Sequence, residues 1–157
     1  AIEVLNKEHY LEVATIYKEG INTQMATFET QVPSWEAFQK KFISKLQWVW
    51  IEDKTLLGWC ALAPTSIRKV YAGVAEVSVY VASKAQGKGI GSKLLAHLIK
   101  ASEAEGIWSL QASIFPQNKP SINLHKKMGF REIGYRERIA QLEGVWHDNI
   151  LFEKRKP

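Results

Sequence analysis

A single cysteine in 157 residues has no partner within the chain, so no internal disulfide framework supports this fold. Cys60 lies in Leu56-Leu57-Gly58-Trp59-Cys60-Ala61-Leu62, which reads as a buried strand where a thiol serves as a small hydrophobe. Long apolar runs are also missing. Charges interrupt every one well short of the roughly 20 residues that span a bilayer, so no membrane partner is expected. The opening Ala1-Ile2-Glu3-Val4 has no basic segment leading into an apolar one, and no secretory signal is expected. Five prolines and ten glycines are scattered without a linker-like cluster or an internal repeat. These absences lead to an expectation of a cytoplasmic protein with one domain over residues 1–157.

The net charge is +5, yet the basic residues are dispersed, and the densest group is the terminal Lys154-Arg155-Lys156. No basic–aromatic recognition motif accompanies them, which argues against a nucleic-acid partner. A basic surface suits a small anionic ligand, because it attracts phosphates and carboxylates.

Hydrophobic periodicity predicts an opening strand at Ile2 to Leu5 and an amphipathic helix over Glu8 to Gly20. Asn22 to Val32 reads as a loop, and Ser34 as the N-cap of a second helix. Strands are expected at Trp48 to Glu52, Thr55 to Ala63 and Val74 to Ala82, with Pro64 to Tyr71 a loop. A helix over Ile90 to Ala104 is stopped by Gly106, and a strand follows at Trp108 to Phe115. A short helix over Ser121 to Met128 and strands at Arg131 to Gln141 and Val145 to Glu153 close the chain. The order β-α-α-β-β-β-α-β-α-β-β implies an α/β (α+β) domain, a mixed sheet with helices on its faces.

Gln86-Gly87-Lys88-Gly89-Ile90-Gly91-Ser92 falls between a strand and a helix. Glycines there let the backbone turn sharply and approach a ligand closely. The unpaired first N–H groups of the helix form an anion site suited to a pyrophosphate. The stretch does not fit a dinucleotide fingerprint, whose third glycine would fall on Ser92, nor a P-loop, which needs Gly-Lys-Ser/Thr after a longer spacing. Glu76 is the only charged residue in its strand, on the face shared with Ser78 and Tyr80. Apolar surroundings push a carboxyl pKa up and make it a better base.

The strand Val77-Ser78-Val79-Tyr80-Val81 followed by Gln86 to Gly91 resembles the acetyl-CoA motif of the GNAT acetyltransferase superfamily, Gln/Arg-x-x-Gly-x-Gly/Ala. Asn118, Ser121, Leu124, His125, Gly129 and Phe130 resemble its second motif. Ala26-Thr27-Phe28-Glu29-Thr30, Gly58-Trp59, Ala63-Pro64 and Arg136-Glu137-Arg138 narrow the resemblance to the phosphinothricin, methionine sulfoximine and methionine sulfone acetyltransferases. The resemblance implies the GNAT fold, a mixed sheet of about six to seven strands with about four helices. It implies acetyl-CoA as co-substrate, no metal, a homodimer and a detoxifying activity of the kind that confers herbicide resistance. The acceptor would be the α-amine of a small amino acid.

Residue by residue, the resemblance places Glu76 near the amine as base, directly or through a water. His125 stands where the wider superfamily has a tyrosine acting as general acid, whereas the narrower group has histidine. An imidazole there could give a proton to the departing thiolate or accept one, or be a satisfied core group. The backbone of Val79, Tyr80 and Val81 would hold the pantetheine arm. Gln86, Gly87, Lys88, Gly89, Ile90, Gly91 and Ser92 would hold the phosphates, and Asn118 and Ser121 would add bonds to the arm. Asn118 also reads independently as a helix N-cap. Phe28, Glu29, Ser66, Ile67, Arg68, Val77 and Ser78 would line the acceptor pocket with Glu76, and Arg68 would take a carboxylate bidentately. The alternatives are a GNAT enzyme acting on a peptide N-terminus or a polyamine, and a CoA-binding module without catalysis. The presence of Glu76 and His125 speaks against the latter.

Overall fold

The computed structural model describes residues 1–157. The chain runs β1 (Ile2–Val4), α1 (Tyr10–Asn22), α2 (Trp35–Lys41), β2 (Gln47–Glu52), β3 (Thr55–Pro64), β4 (Val74–Val81), α3 (Ile90–Ala104), β5 (Ser109–Ile114), α4 (Lys119–Lys127), β6 (Arg131–Leu142) and β7 (Val145–Arg155). The seven strands form one sheet in the order β1-β2-β3-β4-β5-β7-β6. The element order matches that expected from periodicity.

Local chemistry explains the boundaries. Ser34 Oγ accepts from the Ala37 amide and starts α2. α1 begins at Tyr10 rather than Glu8 because Asn6 caps a separate 3-10 turn over Lys7–His9. Its side chain accepts from the Glu8 amide, while its own amide donates to His9 Nδ1. α4 begins at Lys119, two residues earlier than periodicity suggests. Asn118 caps it through the Ser121 amide, and Pro120 sits in the first turn, where its missing N–H costs nothing. α3 follows its apolar stripe: Ile90, Leu94, Leu95 and Leu98 are all buried. Cys60 is buried, and burial pushes its thiol up to about 12, in keeping with an unreactive core group.

Aromatic packing covers one face of the sheet. Trp59 of β3 meets Tyr17 of α1, Phe38 of α2 and Phe42, and stacks on Tyr80 of β4 at 4.8 Å. On the opposite face α3 lies close to β3 at Gly58, where an added Cβ would meet Leu94 Cδ1 at 3.0 Å.

All strand pairs are antiparallel except β4 with β5. That parallel pair is in register only at Val74↔Ser109, Ala75↔Leu110 and Glu76↔Gln111. Beyond Glu76 the two strands part, and an opening forms in the middle of the sheet.

Candidate active site

The parting of β4 and β5 leaves one edge of each strand without a strand partner. The Ala82 amide bonds Leu57 O on the β3 side. Because backbone groups alternate along a strand, the amides of Tyr80 and Ser78 also face β3, and those of Val77, Val79 and Val81 face the opening. The opening continues into a cleft of about 960 Å³ that runs from the glycine loop, between β4 and β5, to the loop joining α1 and α2.

At the glycine end, Gly87 and Gly89 take φ of +80° and +79°, a left-handed conformation that glycine adopts without strain. A Cβ at either would meet nothing, so the glycines serve backbone shape and close approach rather than packing. Gly89 is the N-cap of α3 and supplies no side-chain cap, which leaves the first amides of a 15-residue helix free to bind an anion. Gln86 Nε2 donates to Val81 O at 2.9 Å and ties the loop to the end of β4. Gln86, Gly87, Gly89, Ile90, Gly91 and Ser92 border the cleft with Val79, Tyr80 and Val81, whereas Lys88 lies outside its lining.

Glu76 stands where the strands part, half-buried and bordering the cleft with Val77 and Ser78. Burial raises its pKa. The Gln111 side chain opposite and the charges of Lys41 and Arg136 hold it back from rising further.

His125 lies on the inner side of α4, 5% exposed, against the edge of Phe130. Its Nδ1 is 2.7 Å from Ser121 O, a carbonyl that can only accept, so Nδ1 carries the hydrogen. Nε2 then holds a lone pair and has no protein hydrogen-bond partner. Burial lowers the His125 pKa, against a smaller upward effect of the Ser121 carbonyl, and this favours the neutral ring. Asn118, Ser121 and His125 all border the cleft. Asn118 is a helix cap as its position suggested, and its Nδ2 also donates to Met25 O at 3.2 Å, pinning the α1–α2 loop to α4.

At the far end, Phe28 packs on Phe115 with centroids 4.7 Å apart. Glu29 pairs with Lys41 at 2.8 Å, and Lys41 Nζ also donates to Tyr17 OH at 3.3 Å. These five residues border the cleft. Ser66, Ile67 and Arg68 do not. Ile67 is fully exposed on the β3–β4 loop, Ser66 Oγ accepts from the Arg68 amide, and the Arg68 guanidinium lies over the Tyr71 ring, 5.6 Å from its centroid. Sequence reasoning missed Tyr17, Lys41, Ser113 and Asn149. Tyr17 and Lys41 look like ordinary members of amphipathic helices. Asn149 offered a signal, since it is a polar residue beside Ile150 in an inward-facing part of β7 and is 2% exposed. Arg136 satisfies it at 2.9 Å.

The arrangement sets a carboxyl group, an imidazole, a row of open strand amides and an uncapped helix start around one cleft. Residues 15–130 match the model of the acetyltransferase (GNAT) family. The chain is 31% identical over 141 residues to phosphinothricin N-acetyltransferase of Streptomyces viridochromogenes, an alignment covering 89% of this chain and 73% of the relative. It is 34% identical over 93 residues to the L-methionine sulfoximine/L-methionine sulfone acetyltransferase of Pseudomonas aeruginosa, covering 59% of this chain and 54% of that one. Its fold superimposes with a TM-score of 0.88 on a GNAT-superfamily phosphinothricin acetyltransferase from Sinorhizobium meliloti solved in complex with acetyl-CoA, at 24% identity and with 99% and 88% of the two chains covered. With the glycine loop, the parted β4 and β5 and the Asn118–Phe130 segment all inside the matched region, this chain belongs to the acetyltransferase (GNAT) family.

Proposed function

We propose that this protein transfers the acetyl group of acetyl-CoA to the α-amine of a small amino-acid-like acceptor such as phosphinothricin, methionine sulfoximine or methionine sulfone. The observation that carries this reading is the position of Glu76. A carboxylate with a raised pKa stands at the fork of β4 and β5, on the same cleft as an uncapped helix start and a row of free strand amides.

The residues present fit acetyl-CoA. The left-handed glycines and uncapped α3 suit its phosphates, and the open amides of Val79 and Val81 suit an extended arm laid along β4. Bound acetyl-CoA supplies an activated acyl carbon and a thiolate leaving group. Glu76 takes the proton of the acceptor's ammonium, directly or through one water, so that a neutral nitrogen faces that carbon. The Val79 and Val81 amides orient the arm, and the amide nearer the reacting end favours charge developing on the carbonyl oxygen. His125 Nε2 is neutral at rest and holds a proton only after receiving one. It therefore serves as an acceptor or relay before it can return that proton to sulfur. Asn118 acts through its cap and its bond to Met25, keeping the α1–α2 loop against the cleft.

Ser66, Ile67 and Arg68 lie outside the lining of the cleft in their own chain. Their part in acceptor binding therefore depends on a homodimer that brings this loop of one copy to the cleft of the other. We place the enzyme in the cytoplasm, with detoxification of such amino acids, and hence resistance to a herbicide of this type, as its role.

The test is thiol release from acetyl-CoA across a panel of amino acids, peptides with free N-termini and polyamines. Turnover confined to small amino acids supports the reading. Release with peptides or polyamines alone moves the protein to another acceptor class, and CoA binding without release marks a non-catalytic module.

A further inference from the structure

An acceptor that carries a carboxylate beside its amine meets a difficulty in this cleft. Its amine must approach Glu76, itself a carboxylate, and Glu29 also borders the site. Two or three negative groups at one end of a partly desolvated cleft repel one another unless a cation lies among them.

The cleft contains one such cation. Lys41 is the only lysine or arginine whose atoms border it. Arg136 lies behind the wall, where its Nη2 is engaged with Asn149 Oδ1 at 2.9 Å and Ser113 Oγ at 3.4 Å. Arg68 and Lys88 lie outside the lining. Lys41 ends α2, on the sheet face that also carries Trp59, Tyr80 and Glu76, and its charge opposes part of the burial-driven rise in the Glu76 pKa.

The setting of Lys41 suits a ligand cation. Tyr17 OH accepts from its Nζ at 3.3 Å. Tyr17 is itself locked between Trp59 and Tyr80, with centroids 5.1 and 5.0 Å away, so the ammonium has a firm anchor. Its ionic partner is less firm. Glu29 and Lys41 leave 42% and 39% of their side chains exposed, and an ion pair so exposed contributes little and exchanges readily. An ammonium has three donors, of which Tyr17 and Glu29 use two.

We propose that Lys41 binds an anionic oxygen group of the acceptor, displacing Glu29, and so makes this cleft select acidic amines over uncharged ones. This rests on the acetyl-transfer reading above. The shared chemistry is an anionic oxygen, and it has two sources: the α-carboxylate common to all the acceptors, or an acidic side-chain group such as that of phosphinothricin.

The experiment compares kcat/KM for methionine sulfone, its α-amide and phosphinothricin in the parent, Lys41→Met, Lys41→Arg and Arg68→Ala, with thermal melts as a folding control. Lys41→Met keeps length without charge. It is expected to reduce the preference for methionine sulfone over its amide by about 10- to 100-fold, the size of a charge-assisted hydrogen bond. Lys41→Arg should retain most of that preference. A loss confined to phosphinothricin assigns the contact to the side-chain anion instead, within the same proposal. If Lys41→Met loses ground relative to the amide with neither methionine sulfone nor phosphinothricin, or if the preference is lost in Arg68→Ala alone, the proposal is overturned. Calorimetry with N-acetyl-methionine sulfone and its amide on the CoA-loaded protein reads the same contact without turnover. If the parent releases no thiol with any amino acid, the functional reading fails, and calorimetry still decides for or against Lys41.

Discussion

Glu76 and Gln111 are the last residues at which β4 and β5 lie abreast, and the base of the proposed reaction therefore occupies the fork itself. One step earlier along β4, at the buried Ala75, a glutamate would point to the opposite face of the sheet. Farther along, it would lose the neighbour that favours its charged form.

Glu76→Gln preserves shape and removes the base. Turnover at neutral pH should fall by something like 10²–10⁴-fold, with the deficit shrinking as pH rises and more acceptor arrives deprotonated. Stability should move the other way. Burial raises the folded-state pKa of Glu76, so its contribution is fully present below the ordinary glutamate value of about 4.3 and is lost as pH rises through the raised one. The glutamine variant escapes that loss. It should melt higher than the parent at pH 7 and level with it near pH 4, and equal melting at both pH values would remove the burial argument.

His125 should show the opposite dependence. Its folded-state pKa is depressed, so its contribution is whole above about 6.5 and falls away as pH drops toward the lower folded value. Denaturant melts of the parent and His125→Gln should converge or cross below that pH, the variant being the flatter of the two. In turnover, His125→Ala should show a smaller defect than Glu76→Gln, and one that depends on the leaving thiol.

The glycine loop separates strain from ligand contact. Gly89→Ala has room for its Cβ but carries a left-handed φ, so it should lose roughly 1–2 kcal/mol of stability together with CoA affinity. Gly91→Ala sits inside α3, where its Cβ would rest 3.4 Å from Leu124, and alanine is the better helix former. It should hold or raise the melting point while weakening CoA binding in calorimetry. Undiminished CoA affinity in both variants would rule out the loop as the phosphate site.

Gly20 tests how the far wall of the cleft is set. A Cβ there would clash with the Tyr80 ring, which is stacked on Trp59 and cannot yield without disturbing it. Gly20→Ala should cost about 1–3 kcal/mol as an overpacked core and reduce acceptor turnover through a displaced Tyr80. A variant as stable as the parent would show that Tyr80 is freer than its stacking suggests.

Much of this was legible in the chain. The α3 boundaries, the Ser34 cap, the order of elements and the position of Glu76 follow from periodicity, capping chemistry and one charge in an apolar strand. The site was less legible where it depends on distant segments. Lys41 has the sequence signature of a solvated lysine at a helix end. Only the packing of α2 on Trp59, and the return of the α1–α2 loop to Asn118, bring it to the cleft. Arg68 shows the converse: a guanidinium in a loop just before a key strand suggests a ligand contact, but within one copy it lies over the Tyr71 ring, outside the cleft's lining, and Ile67 projects fully into solvent.

The parted strands also bear on how the molecule avoids its own kind. Exposed sheet edges recruit foreign chains and seed aggregation, and proteins usually blunt them with charge, proline or bulges. β4 displays such an edge over Val77 to Val81, a segment with no charge, proline or bulge to blunt it. It is tolerable because it lies indoors, walled by α4 and the α1–α2 loop, and no longer than one slender arm requires. Loosening those walls, for instance by removing the Asn118–Met25 tie, would turn a binding seam into a template for self-association.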